Sequence, residues 1–187
     1  MENPLIDVIM ETVRVLDAEQ VPYAVTGSVA SSIHGEPYVS ADVDIVVRMT
    51  PDQATRLARS LPPRFYRSEQ ALVEAAARSS IAHLIDTETG LKVDLSVLSP
   101  GSFHDGILRR AEPVTADEVS FRCVSPEDTI LMKLVWRRDS RSQKQWENAL
   151  GVVRVQAARL DWKYLFEQAE SLGVADDLAA LRDAGGV

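Results

Sequence analysis

Two carboxylates, Asp42 and Asp44, are separated by one residue in a run that is otherwise apolar up to Val47. Because side chains alternate between the two faces of a strand, both carboxylates would project from one face while Val43 and Ile45 enter the core. Two negative charges held on one face repel each other unless a cation lies between them. Magnesium, a hard cation that binds carboxylate and phosphate oxygens, is the cation that this pair predicts.

A Gly-Ser pair, Gly27 and Ser28, directly follows an apolar strand predicted at Tyr23 to Val25. The first amides of the helix that follows would be able to meet an anionic phosphate. By itself, a Gly-Ser pair at the end of a strand is more typical of a turn or a helix cap. With two aspartates close behind it in the sequence, the pair indicates a metal-dependent phosphate-transfer site.

A third carboxylate, Asp94, lies on a strand predicted at residues 91–97, where Lys92 and Asp94 share one face. One interpretation is an edge-strand aspartate that faces water. The other is a third metal ligand, which sheet pairing would bring beside Asp42 and Asp44. Three converging carboxylates are what two-metal phosphoryl chemistry requires, and Asp94 would then act as the base for an attacking hydroxyl.

Apolar periodicity, helix caps and turn residues predict the elements that must position these groups. Helices are predicted at residues 4–19, 29–34, 51–61, 69–78 and 103–110, from residues 125–128 onward, and over most of 143–187. Strands are predicted at residues 23–25, 42–47, 81–85, 91–97 and 119–124. This order predicts an α+β fold, with a core domain of residues 1–124 and a C-terminal helical part of residues 125–187 packed on it.

Composition narrows the classes of protein to which the chain can belong. Its 187 residues carry a net charge of −8, which argues against a protein that coats nucleic acid by bulk electrostatics. A single cysteine, Cys123, excludes an internal disulfide framework. The sequence shows no secretory signal and no bilayer-length apolar stretch, so we expect a cytoplasmic protein without a membrane partner. One basic cluster stands out, formed by Lys133, Arg137, Arg138, Arg141 and Lys144.

Four short motifs follow one another in the order of a known superfamily: Gly27-Ser28, Asp42-x-Asp44, Lys92-x-Asp94, and Asp128 followed by Lys133. This order resembles the nucleotidyltransferase superfamily with the DNA polymerase beta-type core. More narrowly, it resembles the minimal nucleotidyltransferases related to AbiEii abortive-infection toxins. The resemblance spans most of the chain and implies a mixed sheet flanked by helices, followed by a C-terminal helical part.

The resemblance also implies a role for each matching residue. The residues implied in catalysis and magnesium binding are Asp42, Asp44 and Asp94. The residues implied in nucleotide binding are Gly27, Ser28, Lys92, Lys133 and Arg141. Lys133 has the alternative interpretation of a lysine on an exposed helix face, and Asp128 is interpreted as part of a helix cap that begins at Ser125. The three histidines show no metal-ligand spacing, so His34, His83 and His104 are interpreted as surface or packing residues.

We therefore expect a magnesium-dependent enzyme that moves a nucleoside monophosphate from a nucleoside triphosphate to a hydroxyl of transfer RNA or protein. The resemblance to toxins adds a toxin–antitoxin role, with a cognate antitoxin protein as partner. Tyr38 and Asn148 depart from the family pattern, which often has an arginine and an aspartate there. Those departures leave open a catalytically silent member that binds a nucleotide or a protein partner. Nucleotidylation of an antibiotic is a third alternative.

Overall fold

A computed structural model describes residues 3–37, 40, 42–116 and 119–187. Tyr38, one of the two departures from the family pattern, lies outside these residues. The helices are α1 (Pro4–Ala18), α2 (Gly27–His34), α3 (Pro51–Ser60), α4 (Glu69–Arg78), α5 (Ser102–Arg110), α6 (Pro126–Ser140), α7 (Gln143–Gln156), α8 (Trp162–Leu172) and α9 (Ala175–Gly185). The strands are β1 (Tyr23–Thr26), β2 (Asp42–Val47), β3 (Phe65–Tyr66), β4 (Ile81–Asp86), β5 (Lys92–Val97), β6 (Glu112–Ala116) and β7 (Val119–Cys123).

The strands form one mixed sheet in the order β3-β4-β5-β2-β1-β7-β6. The pairs β2–β5 and β1–β7 are parallel, and the other neighbouring pairs are antiparallel. The predicted α+β class with a mixed sheet and flanking helices is confirmed. In the part of the chain that the structure describes, no helix is both long and apolar enough to cross a lipid bilayer.

Contacts within the chain divide it into two compact units. One is a sheet unit of Met1–Thr26 and Ser40–Cys123, and the other is a helical unit of Gly27–Val39 and Val124–Val187. The predicted division into residues 1–124 and 125–187 differs from this at two places, the first of which is Val124, a member of the helical unit. The segment that contains α2 belongs with the C-terminal helices, although it lies between β1 and β2 in the sequence.

Alternation of apolar and polar residues builds the centre of the sheet unit. On β2 the side chains of Val43 and Ile45 are fully buried, and on β5 those of Val93 and Leu95 are fully buried. The residues between them on each strand are exposed or half-buried. A slip of one residue would move these four side chains out of the core, so this pattern favours the observed register of both strands.

Two strands were missing from the predicted elements, and both lie at the edges of the sheet. β3 contains two residues, which is too short for an alternating pattern to appear. β6 contains Pro113, and proline argues against a strand unless the strand lies at an edge or a bulge. Edge position therefore explains why β6 exists although its sequence disfavours a strand.

The C-terminal end of α2 makes close contacts within the helical unit. Gly35, which follows α2, has no room for a side chain, since an added Cβ would lie 2.7 Å from the backbone nitrogen of Val152 in α7. The Nε2 atom of His34 lies 2.7 Å from the carbonyl oxygen of Val124, and the Gln156 side chain donates a hydrogen bond to the carbonyl of His34 at 2.7 Å. The contacts of Val152 and Gln156 join the end of α2 to α7, and the contact of Val124 joins it to the segment before α6.

Candidate functional site

The parallel pairing of β2 with β5 brings the predicted carboxylates together. In the register of this pair, Asp42 lies opposite Lys92 and Asp44 lies opposite Asp94. Residues that face each other on neighbouring strands point to the same side of the sheet, about 5 Å apart. Asp42, Asp44, Asp94 and Lys92 therefore share one face, which we call the carboxylate face.

A row of polar residues crosses four strands on this face. Thr26 at the end of β1 pairs with Asp44, Asp44 pairs with Asp94, and Asp94 pairs with His83 of β4. The opposite face of the same strands carries the buried apolar residues. The sheet therefore supports the polar row on a packed hydrophobic layer, which holds the backbone positions of its members.

Both oxygens of the Asp94 carboxylate are engaged. The Lys92 ammonium lies 3.0 Å from Oδ2, and Nδ1 of His83 donates to Oδ1 at 2.7 Å. The Asp94 side chain is 16% exposed, compared with 38% for Lys92 and 57% for His83. Asp94 is therefore the shielded centre of this group, and its two partners reach it from the solvent side.

His83 is a member of the site that the sequence interpretation missed. The interpretation of His83 as a surface residue agrees with its 57% exposure, and its contact with Asp94 is what that interpretation lacks. In the structure Ala82 and Leu84 of β4 are buried and His83 is exposed, but the β4 sequence does not alternate between apolar and polar residues, so no local pattern marked the exposed face. His83 pairs with Asp94 because of the register of the β4–β5 hairpin, and the sequence motifs do not specify that register.

The charge of Lys92 is stabilised by all three carboxylates. The hydrogen bond to Asp94 raises the pKa of Lys92 above its usual value, and partial burial opposes this effect. Attraction to Asp94, Asp42 and Asp44 raises the pKa further. Lys92 therefore stays protonated and carries one positive charge among three negative charges.

The donor types at the site suit magnesium, since Asp42, Asp44 and Asp94 supply hard carboxylate oxygens on one face. Within the described ranges, however, no three His, Cys, Asp or Glu side chains are already gathered as a metal-binding group. The Lys92–Asp94 ion pair gives a physical reason, because it holds one oxygen of the third carboxylate. The residues fit the ion in kind, and Lys92 stands beside the ligand that would complete the set.

No protein-family model matches the chain, and no curated protein matches its sequence. Two solved structures resemble it over nearly their whole length. The antibiotic-resistance factor ANT(2'')-Ia shares 13% identity, with 98% of this chain and 97% of that chain covered and a TM-score of 0.51. An antigenic nucleotidyltransferase-like protein from Paracoccidioides brasiliensis shares 17% identity, with 94% and 91% covered and a TM-score of 0.52.

The chain has a nucleotidyltransferase fold. The superfamily resemblance that the motifs indicated is thereby supported at the level of the fold. The narrower resemblance to AbiEii-type toxins stays a prediction. The carboxylate face described above is the part of this nucleotidyltransferase fold that carries its three predicted catalytic aspartates.

Four further predicted site residues belong to the helical unit of the nucleotidyltransferase fold. Gly27 opens α2 with a φ of 67°, a left-handed conformation that glycine adopts at little cost. Ser28 follows it and is buried. The backbone therefore requires glycine at the predicted phosphate-binding turn, whatever binds there. The other two residues are Lys133 and Arg141.

Lys133 lies on α6 and is 2% exposed, so the alternative interpretation of an exposed helix face is wrong. Its Nζ lies 5.4 Å from the centre of the Trp136 ring, a cation–π distance. Asp128, one turn earlier, is fully buried and accepts a hydrogen bond from the Tyr164 hydroxyl at 2.6 Å. The Ser125 hydroxyl accepts from the Asp128 amide at 3.2 Å, which is the helix cap that the sequence predicted.

Arg141 ends α6 in a left-handed conformation, with a φ of 54°. Together with Arg137, Arg138 and Asp177 it lines a cavity of about 340 Å³. Arg137 is already paired with Asp177 at 2.6 Å. The predicted basic cluster is therefore partly neutralised within the helical unit.

Asn148, the second departure from the family pattern, lies on α7 and is 8% exposed. Its Oδ1 atom is buried and has no hydrogen-bond partner among the residues that the structure describes. An aspartate there would bury a charge, which costs far more than burying an amide. Asparagine is therefore the less costly residue in these surroundings.

Proposed function

We propose that this protein is a magnesium-dependent nucleotidyltransferase that moves a nucleoside monophosphate from a nucleoside triphosphate to an acceptor hydroxyl. The observation that supports this most directly is the pairing of Asp44 with Asp94 on one face of the sheet, with Asp42 beside them. Three carboxylates on one face of two neighbouring strands would be able to hold a cation against a triphosphate.

In this proposal Asp42, Asp44 and Asp94 hold the magnesium, whose chemistry when bound is to neutralise phosphate charge and acidify the attacking hydroxyl. The acceptor oxygen forms a bond to the α-phosphorus, and the bond from that phosphorus to the bridging oxygen of pyrophosphate breaks. Asp94 takes the proton of the acceptor hydroxyl, and pyrophosphate leaves with the electron pair of the broken bond.

Gly27 and Ser28 would bind the triphosphate through the first amides of α2, and Lys92, Lys133 and Arg141 would contact its phosphates or the nucleotide. Lys133 is 2% exposed, so in this assignment its ammonium would act from a buried position.

The acceptor in this proposal is a hydroxyl of transfer RNA or of a protein, within a toxin–antitoxin pair whose second member is a cognate antitoxin. The arginines at the end of α6 favour RNA, because guanidinium groups bind backbone phosphates. The net charge of −8 opposes RNA binding over a wide surface, so any RNA would be held locally.

The test is incubation with each α-labelled nucleoside triphosphate, with and without magnesium. The acceptors would be total RNA, cell protein, a panel of cationic antibiotics, and the protein alone. We expect magnesium-dependent label in the RNA or protein fraction, and none when Asp42 and Asp44 are both changed to Asn. An Asp183→Asn variant, which removes an exposed charge on α9, should label like the wild type. Label that persists in the double variant would refute the assignment of the site.

The Lys92–Asp94 ion pair favours a second candidate function, a member of the fold that binds a nucleotide without turnover. In that case Lys92 would keep Asp94 from acting as ligand or base. Magnesium-dependent binding of a nucleotide, measured by calorimetry, without label in any of the acceptors would support this candidate. Label in the antibiotic arm alone would instead identify the acceptor as a small molecule.

A further inference from the structure

We propose that Lys92 is an internal counter-ion, which holds the carboxylates together in the metal-free protein and must leave Asp94 when a divalent cation binds. This inference rests on the proposed magnesium site. It adds to that site a competition between a tethered cation and a free one. The competition would set both the metal affinity and the stability of the metal-free state.

The first step is geometric. Lys92 lies on the same strand and face as Asp94, with its ammonium 3.0 Å from Oδ2, and it faces Asp42 across the β2–β5 pair. Any cation bound by Asp94 together with Asp42 or Asp44 has to use the space between β2 and β5 on this face. The Lys92 ammonium already lies at one border of that space.

The second step concerns charge. Without a cation, Asp42, Asp44 and Asp94 repel one another, and Lys92 offsets one of the three negative charges. A divalent cation at the same carboxylates would offset two charges, and it would repel an ammonium that stayed beside Asp94. The two cations therefore exclude each other at Oδ2 of Asp94, although both are attracted to the same carboxylates.

The third step concerns what happens to Lys92 and His83, the two partners of Asp94, when the cation binds. The Lys92 side chain is 38% exposed, so it has a path into solvent when it leaves Asp94. His83 holds the other oxygen, Oδ1, at 2.7 Å and can keep the carboxylate oriented during the exchange. Lys92 and His83 thus act on opposite oxygens, and only the one held by Lys92 has to be released.

The experiment measures Mn²⁺ binding by the loss of the free-ion electron paramagnetic resonance signal, at constant ionic strength and without nucleotide. The variants are Lys92→Gln and Lys92→Thr, which remove the tethered charge, and Lys92→Arg, which keeps it. Lys163→Gln is the control for net charge, since that side chain is 85% exposed on α8. We expect Mn²⁺ to bind at least about threefold more tightly to the two neutral Lys92 variants than to the wild type. We expect no change for Lys92→Arg or Lys163→Gln.

Thermal unfolding gives a second readout that does not depend on activity. In the presence of a chelator, the neutral Lys92 variants should unfold at a lower temperature than the wild type, because the carboxylates lose their counter-ion. Saturating Mg²⁺ or Mn²⁺ should raise their unfolding temperature by more than it raises that of the wild type.

The two ways of failing are distinct. Equal Mn²⁺ affinity in the wild type and the neutral Lys92 variants, or weaker binding in the variants, would overturn the counter-ion role and leave the proposed function in place. No Mn²⁺ binding by any of the proteins would overturn the proposed metal site and this inference with it. Binding by the neutral variants alone would support the inference in its strongest form.

Discussion

Replacing Asp86 by Asn should destabilise the sheet unit strongly, although the side chain differs by one group. Asp86 ends β4 and is fully buried. It accepts hydrogen bonds from Nε of Arg64 at 2.8 Å and from Nη2 at 2.6 Å, one on each carboxylate oxygen. Thr89 and the backbone amide of Glu88 donate two more, at 2.5 and 3.3 Å. The carboxylate thus ties the β4–β5 turn to the segment before β3.

The magnitude follows from burial and charge. Breaking a buried ion pair by removing one partner costs about 3–5 kcal/mol, because the remaining charge is left unpaired. The Arg64 side chain is 22% exposed, and its Nη1 atom lies 3.6 Å from a carboxylate oxygen of Glu88, so water and Glu88 offset part of its charge in the variant. We therefore expect Asp86→Asn to lower the free energy of unfolding by about 2–3 kcal/mol. For a chain of this size that is a fall of about 5–10 °C in Tm.

The assay has to report on the sheet unit. All three tryptophans lie on α6, α7 and α8, so tryptophan fluorescence follows the helical unit. Hydrogen exchange of the β4 and β5 amides, combined with urea unfolding followed by circular dichroism, is the appropriate measurement. The control is Glu69→Gln, which breaks an ion pair with Arg59 whose side chains are 46% and 71% exposed. That change should cost less than about 0.5 kcal/mol. An Asp86→Asn loss as small as that of the control would refute the reasoning.

The pH dependence gives the same prediction a second check. The hydrogen bonds from Arg64 hold the pKa of Asp86 well below its usual range, against the opposing effect of burial, and Thr89 lowers the pKa further. A carboxyl whose pKa is lower in the folded state contributes its full stability above the unfolded pKa of about 3.9 and loses it as the pH falls toward the folded value. The stability difference between wild type and Asp86→Asn should therefore be constant from pH 5 to 7 and shrink below about pH 4.

Two further predictions concern close packing and a hydrogen bond to a buried carboxylate. Gly35→Ala should destabilise the helical unit by about 2 kcal/mol or more, because the new Cβ would meet the backbone of Val152. Gly90→Ala, at a φ of 76° with open space around it, should cost only about 1 kcal/mol, and urea unfolding of both variants tests the contrast. Tyr164→Phe removes the hydroxyl that donates to buried Asp128, so it should lower the stability of the helical unit by about 1–3 kcal/mol in tryptophan-monitored unfolding, with Mn²⁺ affinity unchanged.

Local sequence patterns were sufficient to predict most of the elements. The alternation of apolar and polar residues on β2 and β5 depends on neighbours two residues apart, and a helix cap such as Ser125 with Asp128 spans three residues. Interactions between residues so close in the sequence can be predicted from the sequence alone. The same short range explains why β3 was missed.

The sequence by itself determined which residues leave the core on β2 and β5, and hence that Asp42, Asp44 and Asp94 are available for chemistry. The tertiary structure decided what stands beside each of them. Asp44 meets Asp94 through strand pairing over about 50 residues of chain, and His83 joins them through the register of a hairpin. Burial of Lys133 likewise depends on its surroundings in the helical unit rather than on its own helix. Alternation within a strand fixes a side chain's face, whereas its partners depend on which strand lies next to it, and that choice is made by the packing of the whole sheet.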